Sequence, residues 1–142
     1  MAFVHGKNTV FKLDNAAGTI VDLTAYFTSV EVPFDQESHE TTTFGASAKT
    51  FIPGLSESSI SFEANFDTVL DTHLSAVKSA ISAGTLATCS FEYHPAGTTT
   101  GTPKYVGEIA VITYSISSGV GDLITLSGEA QVTGAVTRTL NA

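Results

Sequence analysis

Three short stretches of the chain combine residue types that do chemistry in enzymes. Ser75-Ala76-Val77-Lys78 has the Ser-x-x-Lys spacing in which a lysine activates a serine nucleophile. That chemistry also needs Ser-Asp-Asn and Lys-Thr-Gly segments, and neither occurs here. Gly45-Ala46-Ser47-Ala48-Lys49 starts like a nucleophile elbow, but Lys49 stands where the closing glycine belongs. Gly119-Val120-Gly121 is half of a dinucleotide-binding fingerprint; its third glycine is missing, and a hairpin turn explains both glycines. The four histidines, His5, His39, His73 and His94, lack metal-ligand spacing. His39 and Glu40 are the one candidate pair for a weak ion site, and Glu37 and Glu40 read equally well as solvated charges. Cys89 is the only cysteine, so no intrachain disulfide or thiolate cluster forms; between apolar neighbours it reads as a buried, inert thiol. No base, nucleophile and orienting group come together, so the chain is not read as an enzyme and no cofactor is expected.

The bulk composition points elsewhere. The 142 residues suit one domain and bury enough surface for a core without staples. Only 14% are charged, against 21 Thr and 15 Ser, and threonine favours half-buried pleated surfaces. The net charge is −8, and the six cations, Lys7, Lys12, Lys49, Lys78, Lys104 and Arg138, are scattered singly. Binding to phosphates or to an anionic membrane surface needs clustered Lys or Arg, so both are disfavoured. The start, Met1 to Lys7, lacks the apolar run of a signal peptide, and Ile109 to Ile112 is the longest aliphatic run, far short of a membrane span. A cytoplasmic site of synthesis and folding is expected.

The elements that would position any site are mostly strands. Thr9 to Leu13 and Thr19 to Asp22 flank the turn-rich Asp14 to Gly18 and read as a hairpin. Ser29 to Phe34 alternates, with Val30, Val32 and Phe34 on one face; Pro33 places it at an edge or ends it. Ile60, Phe62, Ala64 and Phe66 alternate with Ser59, Ser61, Glu63 and Asn65, which predicts one buried and one polar face. A helix follows. Asp67 is its N-cap, Val69, Leu70, His73, Leu74, Val77 and Ile81 form its apolar stripe, and Gly84 is its C-terminal cap. His73, on that stripe, reads as a satisfied core histidine. Leu86 to His94 is strand-like. Tyr105 to Ser117 reads as a central strand, with Ile109, Val111 and Thr113 opposing Ala110, Ile112 and Tyr114. Ile124 to Thr133 alternates again, and 134–142 reads as a short polar tail. Glu37 to Gly54 has no sustained period and reads as a long loop, yet it carries Phe44, Phe51 and Ile52. A loop that keeps bulky apolar residues packs them on something. The expected fold is mainly β: an antiparallel sandwich or barrel of one domain over 1–142, with one flanking helix.

Ser29 to Asp67 carries a resemblance. An alternating strand leads to Glu-Thr-Thr-Thr-Phe-Gly (40–45), then Ala48-Lys49-Thr50-Phe51-Ile52-Pro53-Gly54-Leu55-Ser56, then Ser-Ile-Ser-Phe-Glu-Ala-Asn-Phe-Asp (59–67). This order, with the Asp122 to Arg138 stretch ending in Thr-Gly-Ala-Val-Thr-Arg, resembles the tail tube (major tail) proteins of long-tailed, siphophage-type bacteriophages. The resemblance implies a virion protein made and assembled in the host bacterial cytoplasm. Its partners would be copies of itself in hexameric rings stacked into a tube, and tape measure, tail tip and tail terminator proteins. DNA would pass through without specific binding. The family's long loop bridges neighbouring subunits; here it matches 37–54, making Phe44, Gly45, Lys49, Phe51 and Ile52 the expected contact residues. An acidic lumen would repel phosphates and let the duplex slide. Net negative charge also simply keeps soluble domains dispersed. The competing reading is a capsid decoration or adhesion-type β-sandwich module, and an enzyme using Ser75 and Lys78 is a third.

Overall fold

A computed structural model of the protein describes residues 5–142. Residues 1–4, where the reading against a signal peptide begins, lie outside them. Seven strands form one antiparallel sheet: β1 (Val10–Asp14), β2 (Ile20–Asp22), β3 (Phe27–Glu31), β6 (Ser59–Asn65), β7 (Cys89–His94), β8 (Pro103–Ser117) and β9 (Thr125–Leu140). Their order is β2-β1-β7-β8-β9-β6-β3. β4 (Asp35–Glu40) and β5 (Phe51–Glu57) form a separate two-stranded ribbon, and α1 (Thr68–Ala83) is the one α-helix among the described residues.

Connectivity forces the large sheet to curl. Laid flat, its two edges would lie about 29 Å apart, six interstrand spacings. Those edges, β2 and β3, are joined by only Leu23 to Tyr26, a link that reaches at most about 17 Å. The sheet therefore closes on itself, and Phe11 of β1 meets Phe27 of β3 with ring centroids 5.2 Å apart. This is the expected sandwich or barrel. The core fills its concave side: Phe11, Leu13, Ile60, Phe62, Ala64, Phe91, Ile109, Ile112, Leu126 and Ala130 from the strands, and Leu70, Leu74 and Val77 from the helix.

The helix follows its local signals. The Asp67 carboxylate accepts from the Val69 N–H at 2.8 Å, and Gly84 closes the last turn at φ 79°. The buried stripe is Leu70, Leu74, Val77 and Ala80. Val69, expected on that stripe, is exposed because it lies one position off the face that meets the sheet. The β1–β2 hairpin forms as read, β3 is an edge strand ending before Pro33, and β8 is the central strand.

Three sequence readings are corrected. Alternation along β8 placed Ile109 and Ile112 on opposite faces, yet both are buried. The register shifts between Ile109 and Val111, whose partners Val132 and Gln131 are consecutive, so Ala110 is an extra residue and the faces exchange there. Val111 is correspondingly exposed. Second, 134–142 is not a free tail: β9 continues to Leu140, pairing Tyr105 with Arg138 and Pro103 with Leu140. Asn141 then clasps the preceding loop, its side-chain amide donating to the Gly97 and Thr102 carbonyls at 3.2 Å. Third, 37–54 is not an irregular loop. β4 and β5 pair from Asp35 opposite Glu57 to Glu40 opposite Phe51, and only 41–50 forms the tip.

Candidate functional site: an acidic sheet face and an exposed arm

The alternation that buries Ile60, Phe62 and Ala64 of β6 turns Ser61 and Glu63 outward. Register aligns the outward residues of the neighbours. Glu31 of β3 stands opposite Ser61, Ser61 opposite Glu129 of β9, and Glu129 opposite Thr113 of β8. One row further, Ser29, Glu63, Ser127 and Ser115 line up in the same way. The result is a four-strand outer face, shallow and open, of serine, threonine and three glutamates, with no Lys or Arg in its lining. Glu31 and Glu129 are two strand spacings apart, about 10 Å between backbones. Among the described residues, no group of three or more His, Cys, Asp or Glu is placed to hold a metal ion.

The other half of the outer surface, over β1, β7 and β8, sets a lysine beside its carboxylates instead. Glu92 Oε1 lies 3.3 Å from His94 Nε2 and 4.0 Å from Lys104 Nζ. The Ser90 hydroxyl reaches the Glu108 carboxylate at 2.8 Å. Burial opposes ionisation of Asp22, but hydrogen bonds from the Thr24 hydroxyl and N–H, with Lys12 nearby, hold its pKa below the ordinary value.

The second feature is the ribbon. Every residue of β4 and every residue of β5 but Gly54 is exposed. Gly54 is required sterically: a Cβ there would lie 2.8 Å from both Glu37 Cβ and His39 Nε2. The base is pinned, with the Ser58 hydroxyl donating to the Pro33 carbonyl at 2.6 Å and the Val132 N–H to the Ser58 carbonyl at 3.1 Å. Phe34 leaves the sheet face expected for it, where the chain turns at Pro33, and packs on Tyr105 at 4.8 Å. Beyond that base, among the described residues, Phe44 and Leu55 are left largely uncovered and Phe51 and Ile52 about half exposed. The expected contact residues Phe44, Gly45, Lys49, Phe51 and Ile52 thus share one arm, with Phe44, Gly45 and Lys49 at its tip. Lys49 Nζ lies 3.8 Å from Glu40, and His39 lies 3.8 Å from Glu37, all solvent-facing.

The residues first considered for catalysis are not brought together. Ser75 and Lys78 are exposed on the helix, away from Ser47 on the arm tip. The Cys89 thiol is fully buried, and burial next to Asp14 pushes its pKa up to about 12. His73 is half-buried with Nε2 2.9 Å from the Asp14 carbonyl, and burial lowers its pKa. It ties the helix to β1, as a satisfied histidine should. Sequence reasoning recognised the polar positions of each strand but not that Glu31, Glu63 and Glu129 share a face; strand order alone supplies that.

The fold has close counterparts among solved structures. The tail of an empty gene transfer agent particle, refined with C6 symmetry, matches with a TM-score of 0.76 at 18% identity, covering 96% of this chain and 99% of that one. The tail tube of SPP1 matches with a TM-score of 0.72 at 15% identity, over 99% of this chain and 80% of that one. The sheath–tube complex of an extracellular contractile injection system matches at 0.61 and 12% identity, over 97% and 92%. No curated protein matches the sequence. A family model described as phage tail tube protein, by contrast, matches residues 3–138, and the chain belongs to that family: it is a structural tail tube protein of the bacteriophage virion.

Proposed function

We propose that copies of this chain close into hexameric rings and stack into a conduit for the genome, with the arm making the contacts between copies and the outer face of β3, β6, β9 and β8 lining the lumen. The observation that carries this reading is the arm. An isolated two-stranded ribbon is marginal in water, and this one holds four large apolar side chains in solvent. A ribbon of that kind gains its stability from a partner, and in a polymer of identical subunits the partner is another copy.

The choice of lumen face rests on charge. Of the two halves of the outer sheet surface, only that around Glu31, Glu63 and Glu129 is acidic without cations. DNA passing such a wall meets hydroxyls and carboxylates but no Lys or Arg to exchange for its counterions, so the duplex slides rather than binds. Tape measure, tail tip and tail terminator proteins are the expected partners at the ends of the tube, and assembly takes place in the host cytoplasm.

Negative-stain microscopy of the purified full-length chain tests the reading. Rings and tubes with an open lumen are expected. A strict monomer at every concentration would overturn it. Tubes whose lumen retains DNA as well as those of a Glu31→Lys, Glu63→Lys, Glu129→Lys variant would overturn the lumen assignment alone.

A further inference from the structure

Two tips of the chain present fully exposed large apolar side chains, Phe44 on the arm and Val120 in the β8–β9 turn. They leave from opposite ends of β6. The arm leaves beside Ser58, where β9 is at Val132; the turn begins beyond Thr125, which pairs with Asn65 at the far end of β6. The seven residue steps along β9 from Thr125 to Val132 span about 23 Å. Along both strands of the arm every residue but Gly54 is exposed, so the arm is not packed along the sheet over this distance.

The two tips also complement each other chemically. Around Val120, the exposed Ile116 and Leu123 widen the apolar surface, and Asp122 is the sole charged residue of 118–124. On the arm, Lys49 is the sole charged residue of 41–50, in a chain of net charge −8. Its own Glu40 is 3.8 Å away and equally exposed, a pairing too weak to hold the cation from a better site.

We infer that the β8–β9 turn is the seat for the arm tip of a second copy of this chain, with Phe44 against Val120 and Leu123 and with Lys49 facing Asp122. This rests on the self-assembly proposed above and adds where the arm lands. One chain cannot satisfy both of its own tips. A contact between unlike ends of identical molecules is heterologous, and when it joins one ring to the next it propagates in one direction. It therefore gives the stack a polarity, with an arm offered at one end of the growing tube and an empty seat at the other.

A charge swap in the full-length chain tests this. Lys49→Glu and Asp122→Lys each place like charges at the contact, and each should cut pelletable polymer by about tenfold. Mixed one to one, the two variants offer opposite charges wherever unlike copies meet, and should recover tubes in which the two alternate across the contact. Val120→Glu should abolish polymer, while circular dichroism shows all variants folded. Loss with Lys49→Glu but none with Asp122→Lys, no recovery on mixing, or normal tubes from Val120→Glu would each overturn this seat and leave the tube itself standing. Wild-type protein that never polymerises would instead overturn the tube reading.

Discussion

The Leu74 side chain lies between helix and sheet with 1% of its surface exposed. Truncation there removes apolar contacts and opens a cavity that the curled sheet fills poorly. Leu74→Ala should cost roughly 2–5 kcal/mol in chemical denaturation. Cys89 makes a different prediction from similar burial. With its thiol pKa pushed up to about 12, it stays protonated and enclosed, so iodoacetamide should label it only after unfolding. His73 links stability to pH. Burial lowers its folded pKa below the ordinary 6.5, so above that value both states are neutral and its contribution is flat. Below it the unfolded chain takes up the proton first, and stability falls with pH. Asp22, whose folded pKa lies below 3.8, adds stability that is complete above that value and is lost only in stronger acid. The urea midpoint should therefore drop as pH falls below about 6.5, and His73→Gln, which keeps a donor for the Asp14 carbonyl, should flatten that drop.

At the scale of elements, β9 and β8 approach unusually closely at Gly128. A Cβ there would lie 2.8 Å from Tyr114 Cβ and 2.9 Å from the Phe62 ring, and would also strike the Thr113 carbonyl. Because that oxygen is backbone, it cannot swing aside. Gly128→Ala should destabilise the fold by about 1–3 kcal/mol, read as a lower melting temperature. The arm is the opposite case, an element with almost no stake in the core. Deleting Thr41 to Lys49 removes its tip and no buried residue. The expected product is a protomer that melts like the parent by circular dichroism and builds no tubes. A deletion variant that unfolds would show the tip to be structural, and one that still polymerises would remove its assembly role.

At the scale of the whole molecule, charge opposes assembly. Copies with a net charge of −8 repel as they approach, and salt screens exposed charges beyond about 10 Å at 0.1 M. Moderate salt should therefore promote tube growth from isolated protein, seen as earlier onset of light scattering. The single Lys49–Asp122 pair per contact loses less to screening than the summed repulsion does. Assembly that weakens steadily as salt rises would indicate that ion pairs hold the rings.

Residues that act through their own neighbours were legible in the sequence. Asp67 and Gly84 bound the helix by satisfying orphan groups within one turn, and Ile60, Phe62 and Ala64 alternate because one face of β6 is buried. The acidic balance, the buried thiol and the unplaced apolar residues of 37–54 were equally plain. Tertiary structure alone decided the rest. Strand periodicity is visible only when burial selects one face; β4, β5 and the end of β9 expose both faces, so nothing in their side chains marks them as strands. The extra residue at Ala110 leaves no local signal either, and its register shift turns Ile112 inward because β9 offers one partner fewer. Glu31, Glu63 and Glu129 stand far apart in the chain and form one acidic face only because β3, β6 and β9 lie side by side, an ordering set by core packing and not by the glutamates themselves.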